Sequence, residues 1–388
     1  AKAISMAIKE LKCGDVLIVA GKGHENYQEY KKIKFFSDRS EILKGINRKN
    51  LNLSKSIKTN ILRESCKDIL DNDIYVNSAS INSKKINKNS IFIGVKGKNF
   101  DGNLYANEAI RNKAVLAITN KKSKNPKILY KNNPLNFFNK ISKNFRKSLN
   151  SNNIAITGSA GKTSVKELTG FCLKKLEKTF FSKHSYNNKY GVPLSIFNTP
   201  QSTKFTILEV GMDKKGEIDN LSNLIKPNLG LITNISFAHI ENFKNLDQIA
   251  KAKGEIINNI VPGGTMIINK DDKYYKYFFK RAKERKLSVI SFSKTDKNAN
   301  IVFLNQKKNK KNYLMNFKIN DETKTFLISK DLLNYKENIL ASLSIITNYF
   351  DAEKLDKNLF LNFKIPQSRG NLVQYNKGLK KINIIDES

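Results

Sequence analysis

Six consecutive residues, Gly158-Ser159-Ala160-Gly161-Lys162-Thr163, have the types and the order needed to hold a chain of phosphates. Glycines let backbone N–H groups approach phosphate oxygens, a helix start adds partial positive charge, a lysine neutralises the outer phosphates, and a hydroxyl meets Mg²⁺. Ser164 follows directly and belongs to the same cradle. The run lies between the apolar, β-branched IAIT at 154–157 and the amphipathic SVKELTGFCLKKL at 164–176, where a strand turns into a helix. That context separates a phosphate loop from a chance match. ATP with Mg²⁺ is the ligand it implies. Two residues stand between its glycines where the common loop has four, which counts against motor and GTPase classes.

Other residues could complete such a site. Glu209 ends the strand-like FTILEV at 205–210, where a carboxylate can hold a divalent cation near the γ-phosphate. His239 follows LGLIT at 229–233 in a polar turn, and Lys253 lies four residues after Ile249 on a helix. Asn187 and Asn188 precede Gly191-Val192-Pro193, and their amides both donate and accept hydrogen bonds. Taken singly, these residues read as a surface charge, a packed imidazole, one lysine among many and a turn.

The elements around them alternate. IAIT, FTILEV, LGLIT, TMIIN and LSVISF are separated by helical patterns, which predicts a mainly parallel sheet with helices on both faces over residues 131–330. Before it, residues 61–130 predict a small α/β domain, with strands IFIGV at 91–95 and VLAIT at 115–119 around the helix YANEAIRNKA. After it, KENILASLSIITNYF opens a segment, 331–388, shorter than the ~100 to 150 residues of an ordinary doubly wound domain. Residues 1–46 predict a helix over 3–12, a buried strand VLIVA at 16–20 and a glycine turn at Gly21-Lys22-Gly23. Residues 47–60 lack apolar periodicity and are predicted to be a linker.

TGSAGKTS, YNNKYGVP at 186–193, LEVGMDKKGEI at 208–218, TNISFAHIENF at 233–243 and IAKAKGEI at 249–256, in this order and spacing, resemble the Mur ligases of peptidoglycan synthesis. The resemblance covers about residues 61–388 and implies an α/β protein of three domains, with a central doubly wound sheet and the third domain cut short. It is strongest to the branch that joins D-alanyl-D-alanine to UDP-N-acetylmuramoyl-tripeptide, and implies those two molecules as partners. It also implies metal-binding roles for Thr163, Glu209, His239 and Lys253, with Lys253 carbamylated. Asn187 and Asn188 would face substrate and phosphate, Ser83 the uridine nucleotide, and Asn338, Arg369 and Asp386 the adenine, phosphates and ribose. Asn82-Ser83-Lys84 stands where Asp-Ser-Arg is usual, and Asn334 where His is usual. LIVAGKGHENYQ followed by FFSDRSE resembles instead the end of the ligase that adds the preceding amino acid, where Gly21 and Glu25 would contact that amino acid. The implied object is a piece of two fused ligases, which alone would bind ATP weakly and turn over little.

Bulk properties agree with a non-exported enzyme. The chain has 70 Lys plus Arg against 34 Asp plus Glu, a net charge of +36, spread among abundant Asn and Ile as a coding bias would spread it. It lacks the clustered, aromatic-interleaved stripe of a nucleic-acid face, so no nucleic-acid partner is expected. Cys13, Cys66 and Cys172 have no metal-site or CxxC spacing. No run of eighteen apolar residues predicts membrane insertion, and a cytoplasmic monomer is expected. The rival readings are a folate polyglutamate-type ligase, which shares the short loop, a nucleic-acid-stimulated ATPase and a non-enzymatic remnant.

Overall fold

The structure, a computed structural model, describes residues 2–12, 15–20, 27–29, 33–35, 37–66, 74–97, 99–182, 185–237, 242–365, 371–377 and 380–386. They form two units: residues 1–150 with 197–202, and residues 151–196 with 203–388.

In the first unit, helix α1 (Lys2–Glu10) packs on the long helix α2 (Asp38–Ser65), and β1 (Tyr27–Glu29) pairs antiparallel with β2 (Ile33–Phe35). Gly45 makes room for α1, since a Cβ there would lie 2.7 Å from Ile8 Cδ1. Lys49 Nζ donates to the carbonyls of Ile8 at 2.8 Å, Lys9 at 3.2 Å and Leu11, taking up orphan groups at the end of α1. Two expectations fail here. The linker predicted at 47–60 lies wholly within α2, because residues 46–66 contain neither Gly nor Pro and bury Thr59, Ile61 and Leu62. The predicted strand at 16–20 enters no ladder among the described residues, and Val16 and Ile18 are 84% and 82% exposed.

A parallel four-stranded sheet follows, ordered β3 (Ser78–Ser80), β4 (Ser90–Ile93), β5 (Leu116–Thr119), β6 (Ile128–Tyr130), with helices α3 (Ala106–Arg111) and α4 (Pro134–Lys147). Asn133 caps α4 by accepting from Asn136 N at 2.9 Å, with Pro134 at the first position. Because α4 buries Phe138, Ile141 and Phe145 in this unit, the boundary lies near 150 rather than 130. Among these groups sits Lys58 of α2, 2% exposed. Its Nζ donates to Asn77 O at 2.9 Å and lies 4.7 Å and 5.4 Å from the ring centres of Phe145 and Phe197. Burial lowers the pKa of its amine to about 7.

The second unit contains, in chain order, β7 (Asn152–Thr157), α5 (Lys162–Leu176), β8 (Thr179–Phe181), α6 (Gly191–Asn198, its last two residues in the first unit), β9 (Phe205–Glu209), α7 (Glu217–Ile225), β10 (Leu229–Ile232), α8 (Leu246–Lys253), β11 (Thr265–Asn269), α9 (Tyr275–Glu284), β12 (Ser288–Ser293), β13 (Ile301–Asn309), β14 (Asn312–Ile319), β15 (Glu322–Ser329) and α10 (Lys336–Thr347). Nine strands make one sheet in the order β15-β14-β13-β12-β11-β10-β7-β9-β8. The run from β8 to β13 is parallel, as expected, and β13, β14 and β15 continue it as an antiparallel meander that the alternation did not predict.

After β9, which lies on one side of β7, the chain crosses to β10 on the other side and then runs outward to β15. The order thus switches at the β7–β10 pair, and a crevice opens at the carboxyl ends of these strands. Helices cover both faces. Val165, Leu168 and Leu173 of α5 pack with Ile339, Leu340 and Leu343 of α10 on one, and Ile218, Ile249 and Phe278 lie on the other. Leu332 to Phe363 thus belong to this core, which corrects the boundary predicted at 330/331: α10 lies on the same sheet face as α5. Beyond it, β16 (Asn371–Lys377) and β17 (Lys380–Asp386) pair antiparallel. Among the described residues no helix is long and apolar enough to cross a membrane.

Candidate active site

The loop between β7 and α5 needs both its glycines. Gly158 has φ +147°, and a Cβ there would sit 1.8 Å from Thr233 Oγ1. Gly161 has φ +78°, and its Cβ would lie 3.0 Å from Asn338 Oδ1, so the structure brings Asn338 of α10 to the loop. Both positions exclude larger residues. The loop is gripped by the segment after β10. Ser159 N donates to Asn234 O at 2.9 Å, Ser159 Oγ donates to Ser236 O at 2.8 Å, and the same hydroxyl accepts from Ser236 N at 2.9 Å. Ala160 N donates to Asn234 Oδ1 at 3.0 Å, and Thr233 Oγ1 donates to Ala160 O at 2.6 Å. Thr233, Asn234 and Ser236 lie in the TNISFAHIENF stretch, but the sequence reading gave none of the three a role of its own. Their signal was a polar run directly after a strand beside the loop strand.

Lys162 Nζ folds back to donate to Gly158 O at 2.9 Å and Ser159 O at 3.1 Å. Thr163 Oγ1 donates to Glu209 Oε2 at 2.8 Å, and Asn187 Nδ2 donates to Glu209 Oε1 at 2.7 Å. Glu209, 1% exposed at the end of β9, is therefore the centre of the group. A hydroxyl oxygen and a carboxylate oxygen this close at the loop form a hard donor pair, which fits Mg²⁺. Gly211 packs on Asn187, whose carbonyl accepts from Gly211 N at 2.8 Å. Asn188 does different work: its Oδ1 accepts from Tyr190 N and Gly191 N at 3.0 Å each, shaping the start of α6.

Lys253 ends α8 and is 1% exposed. Burial, and then the charge of Lys162, lower its pKa to about 7. Asn338 also lines a small recess with Ser164, Leu168, Leu332, Tyr335, Phe363 and Ile365. Ser83 lies in the first unit, 7% exposed, with its carbonyl accepting from Asn112 Nδ2 at 2.8 Å. Its neighbour Asn82 accepts from Lys84 N at 3.0 Å. Asp386 is the last residue of β17, in register with Asn371. Gly21, Glu25, His239 and Arg369 lie outside the described residues.

Comparison with known proteins agrees with this geometry. Residues 156–345 match the Mur ligase middle domain. A UDP-N-acetylmuramoyl-tripeptide--D-alanyl-D-alanine ligase of Buchnera aphidicola subsp. Baizongia pistaciae is 33% identical over 316 residues, 80% of this chain and 67% of that protein. The protein of the same description from Escherichia coli K12 is 30% identical over 202 residues, 52% of this chain and 44% of that one. The chain thus spans between about half and two thirds of the length of such relatives. Crystal structure I of MurF from Acinetobacter baumannii shares the fold, with TM-score 0.73 and 21% identity over 85% of this chain and 72% of that one. The MurF ligase of Thermotoga maritima, in complex with ADP, gives TM-score 0.68 and 24% identity over 82% and 72%. By sequence and by fold, the chain belongs to the Mur ligase family.

Proposed function

We propose that this protein uses ATP to join D-alanyl-D-alanine to UDP-N-acetylmuramoyl-tripeptide, in bacterial peptidoglycan synthesis in the cytoplasm. The observation that carries the reading is the Thr163–Glu209–Asn187 group beside a short phosphate loop, in a chain whose relatives bear that description. The tripeptide carboxylate attacks the γ-phosphate and ADP leaves, giving an acyl phosphate; the amine of D-alanyl-D-alanine attacks its carbonyl carbon and phosphate leaves. The loop N–H groups and Lys162 orient and neutralise the transferred phosphoryl, which is where most of the catalysis of such a step resides. Bound Mg²⁺ would add charge neutralisation between the phosphates, held by Thr163 and Glu209.

Lys253 is the candidate for carbamylation, since a buried amine with a pKa near 7 is neutral enough to combine with CO₂. Resemblance supports His239 as a metal ligand, Ser164 and Asn338 at the nucleotide, Arg369 and Asp386 at its phosphates and ribose, and Asn188 and Ser83 at the substrate. It likewise supports residues 1–46, with Gly21 and Glu25, as the end of a preceding ligase. The protein acts as a monomer, without nucleic acid. The test is phosphate release from ATP by the intact protein. Release should require both the tripeptide nucleotide and D-alanyl-D-alanine; release driven by RNA or DNA, or by folate and glutamate, would sink the reading.

A further inference from the structure

The segment 233–236 that grips Ser159 and Ala160 is itself held from behind. Ile235 N donates to Asp272 Oδ2 at 2.6 Å, and Asn269 Nδ2 reaches Thr233 O at 3.4 Å. The other oxygen of Asp272 accepts from Tyr274 N at 2.8 Å, so both carboxylate oxygens are committed to backbone. Its neighbour Asp271 gathers the next turn, accepting from Ser293 Oγ at 2.5 Å and from Lys294 N and Thr295 Oγ1 at 2.7 Å each. Lys294 Nζ then pairs at 2.5 Å with Glu337, the residue before Asn338, whose amide borders Gly161. Burial raises the Asp272 carboxyl above its usual range, although the Tyr274 and Ile235 N–H groups draw it down, and the charge of Glu337 adds a smaller upward push.

We propose that Asp272 is a positioning residue for the nucleotide. Through Ile235 it fixes segment 233–236 and hence the Ser159 and Ala160 backbone of the phosphate loop, while Asp271, Lys294 and Glu337 fix Asn338 on the loop's other side. Asp272 touches no phosphate in this scheme; with the Ser159 and Ala160 N–H groups held by Asn234, it sets the course of the backbone that carries the loop N–H groups after them. A loop whose N–H groups drift by ~1 Å loses much of its hold on a phosphate chain. The inference rests on the reading of the loop as an ATP site.

Calorimetric binding of ATP with Mg²⁺ to the intact protein, alongside its unfolding midpoint, tests it. Asp272→Asn keeps the side chain's size but leaves one acceptor for two N–H groups. The Kd for ATP should rise about tenfold, as for a lost charge-assisted hydrogen bond, while KM values for the tripeptide nucleotide and D-alanyl-D-alanine stay within about twofold. A merely structural lesion would lower the midpoint and the active fraction but leave the Kd of the folded protein alone. Lys294→Ala and Glu337→Ala alter side chains that are 41% and 38% exposed, and should not threaten folding. Their effects on Kd should fail to multiply in the double variant, because both break one pair. An unchanged Kd in Asp272→Asn, or effects that multiply, overturns the brace and leaves the ligase reading standing; a parent protein that binds no ATP overturns both.

Discussion

Glu209 shows how much one side chain can organise. Each oxygen of its buried carboxylate holds a different element, Thr163 at the head of α5 and Asn187 before α6. Glu209→Gln replaces one acceptor oxygen by an N–H donor, which the Thr163 hydroxyl can meet only by turning to accept, and removes the charge a cation would need. The kcat of ligation should fall about 10² to 10³-fold, the range of a lost transition-state contact, with the unfolding midpoint little changed; steady-state kinetics check it. Lys253 invites a second measurement. Its folded pKa of about 7 lies below the 10.5 of a free lysine, so the neutral amine is lost as pH falls through 7. Carbamate formation should fail in the same range. Activity should therefore drop in CO₂-depleted buffer below pH 7 and recover with bicarbonate, while Lys253→Arg should respond to neither. The loop was legible because its glycine spacing marks itself in a sequence, whereas Glu209, a surface charge when read alone, stood out only through the resemblance carried by LEVGMDKKGEI. Asp272 was not legible, since its partners Ile235 and Tyr274 are recognised only through backbone N–H groups, which leave no residue signature.

At the scale of elements, α2 is the main departure from expectation. A polar, lysine-rich stretch reads as a linker, but its 28 residues span roughly 42 Å as one helix. Leu53→Pro, at a half-exposed position in its middle, should lower stability by about 3 kcal/mol, as Pro does inside a helix; a flexible linker would show no shift in the unfolding curve. Lys58, one turn further on, gives α2 a pH signature. Its folded pKa of about 7 lies below 10.5, so stability is lost as pH falls from 10.5 towards 7 and is flat below. Between these limits the slope is about 1.4 kcal/mol per pH unit. Denaturant unfolding of the parent and of Lys58→Met should therefore diverge in favour of the variant as pH falls from 10 to 7; a constant difference would refute the assignment. The parallel strands β7 and β9 to β12 were readable from apolar runs bounded by turns, whereas the three-residue edge strand β8 was not. The meander β13–β15 was not, because lysines and asparagines facing solvent on NQKKNKKN dilute its alternation.

At the scale of the whole molecule, unit boundaries were the least legible feature. Residues 134–147 and 332–363 join their units through apolar faces whose partners lie far away in sequence, so local composition could not assign them. The net charge of +36, spread over the surface, makes one further demand. Screening shortens from about 10 Å at 0.1 M salt to about 3 Å at 1 M, so the KM for ATP should rise several-fold across that range while kcat changes little; a kcat that falls with it would place charge in the chemical step. Among so many lysines, Lys58, Lys166 and Lys253 are at most 2% exposed, and Lys166 Nζ is bonded to Ser182 O at 2.8 Å. An amine-acylating reagent would mark surface lysines of the folded protein at once and reach these three only when their surroundings open. Each lies in a different place: the long helix of the first unit, the helix after the phosphate loop, and the end of α8. The order in which a timed reagent tags them would date the local opening of each region, with no probe introduced by mutation.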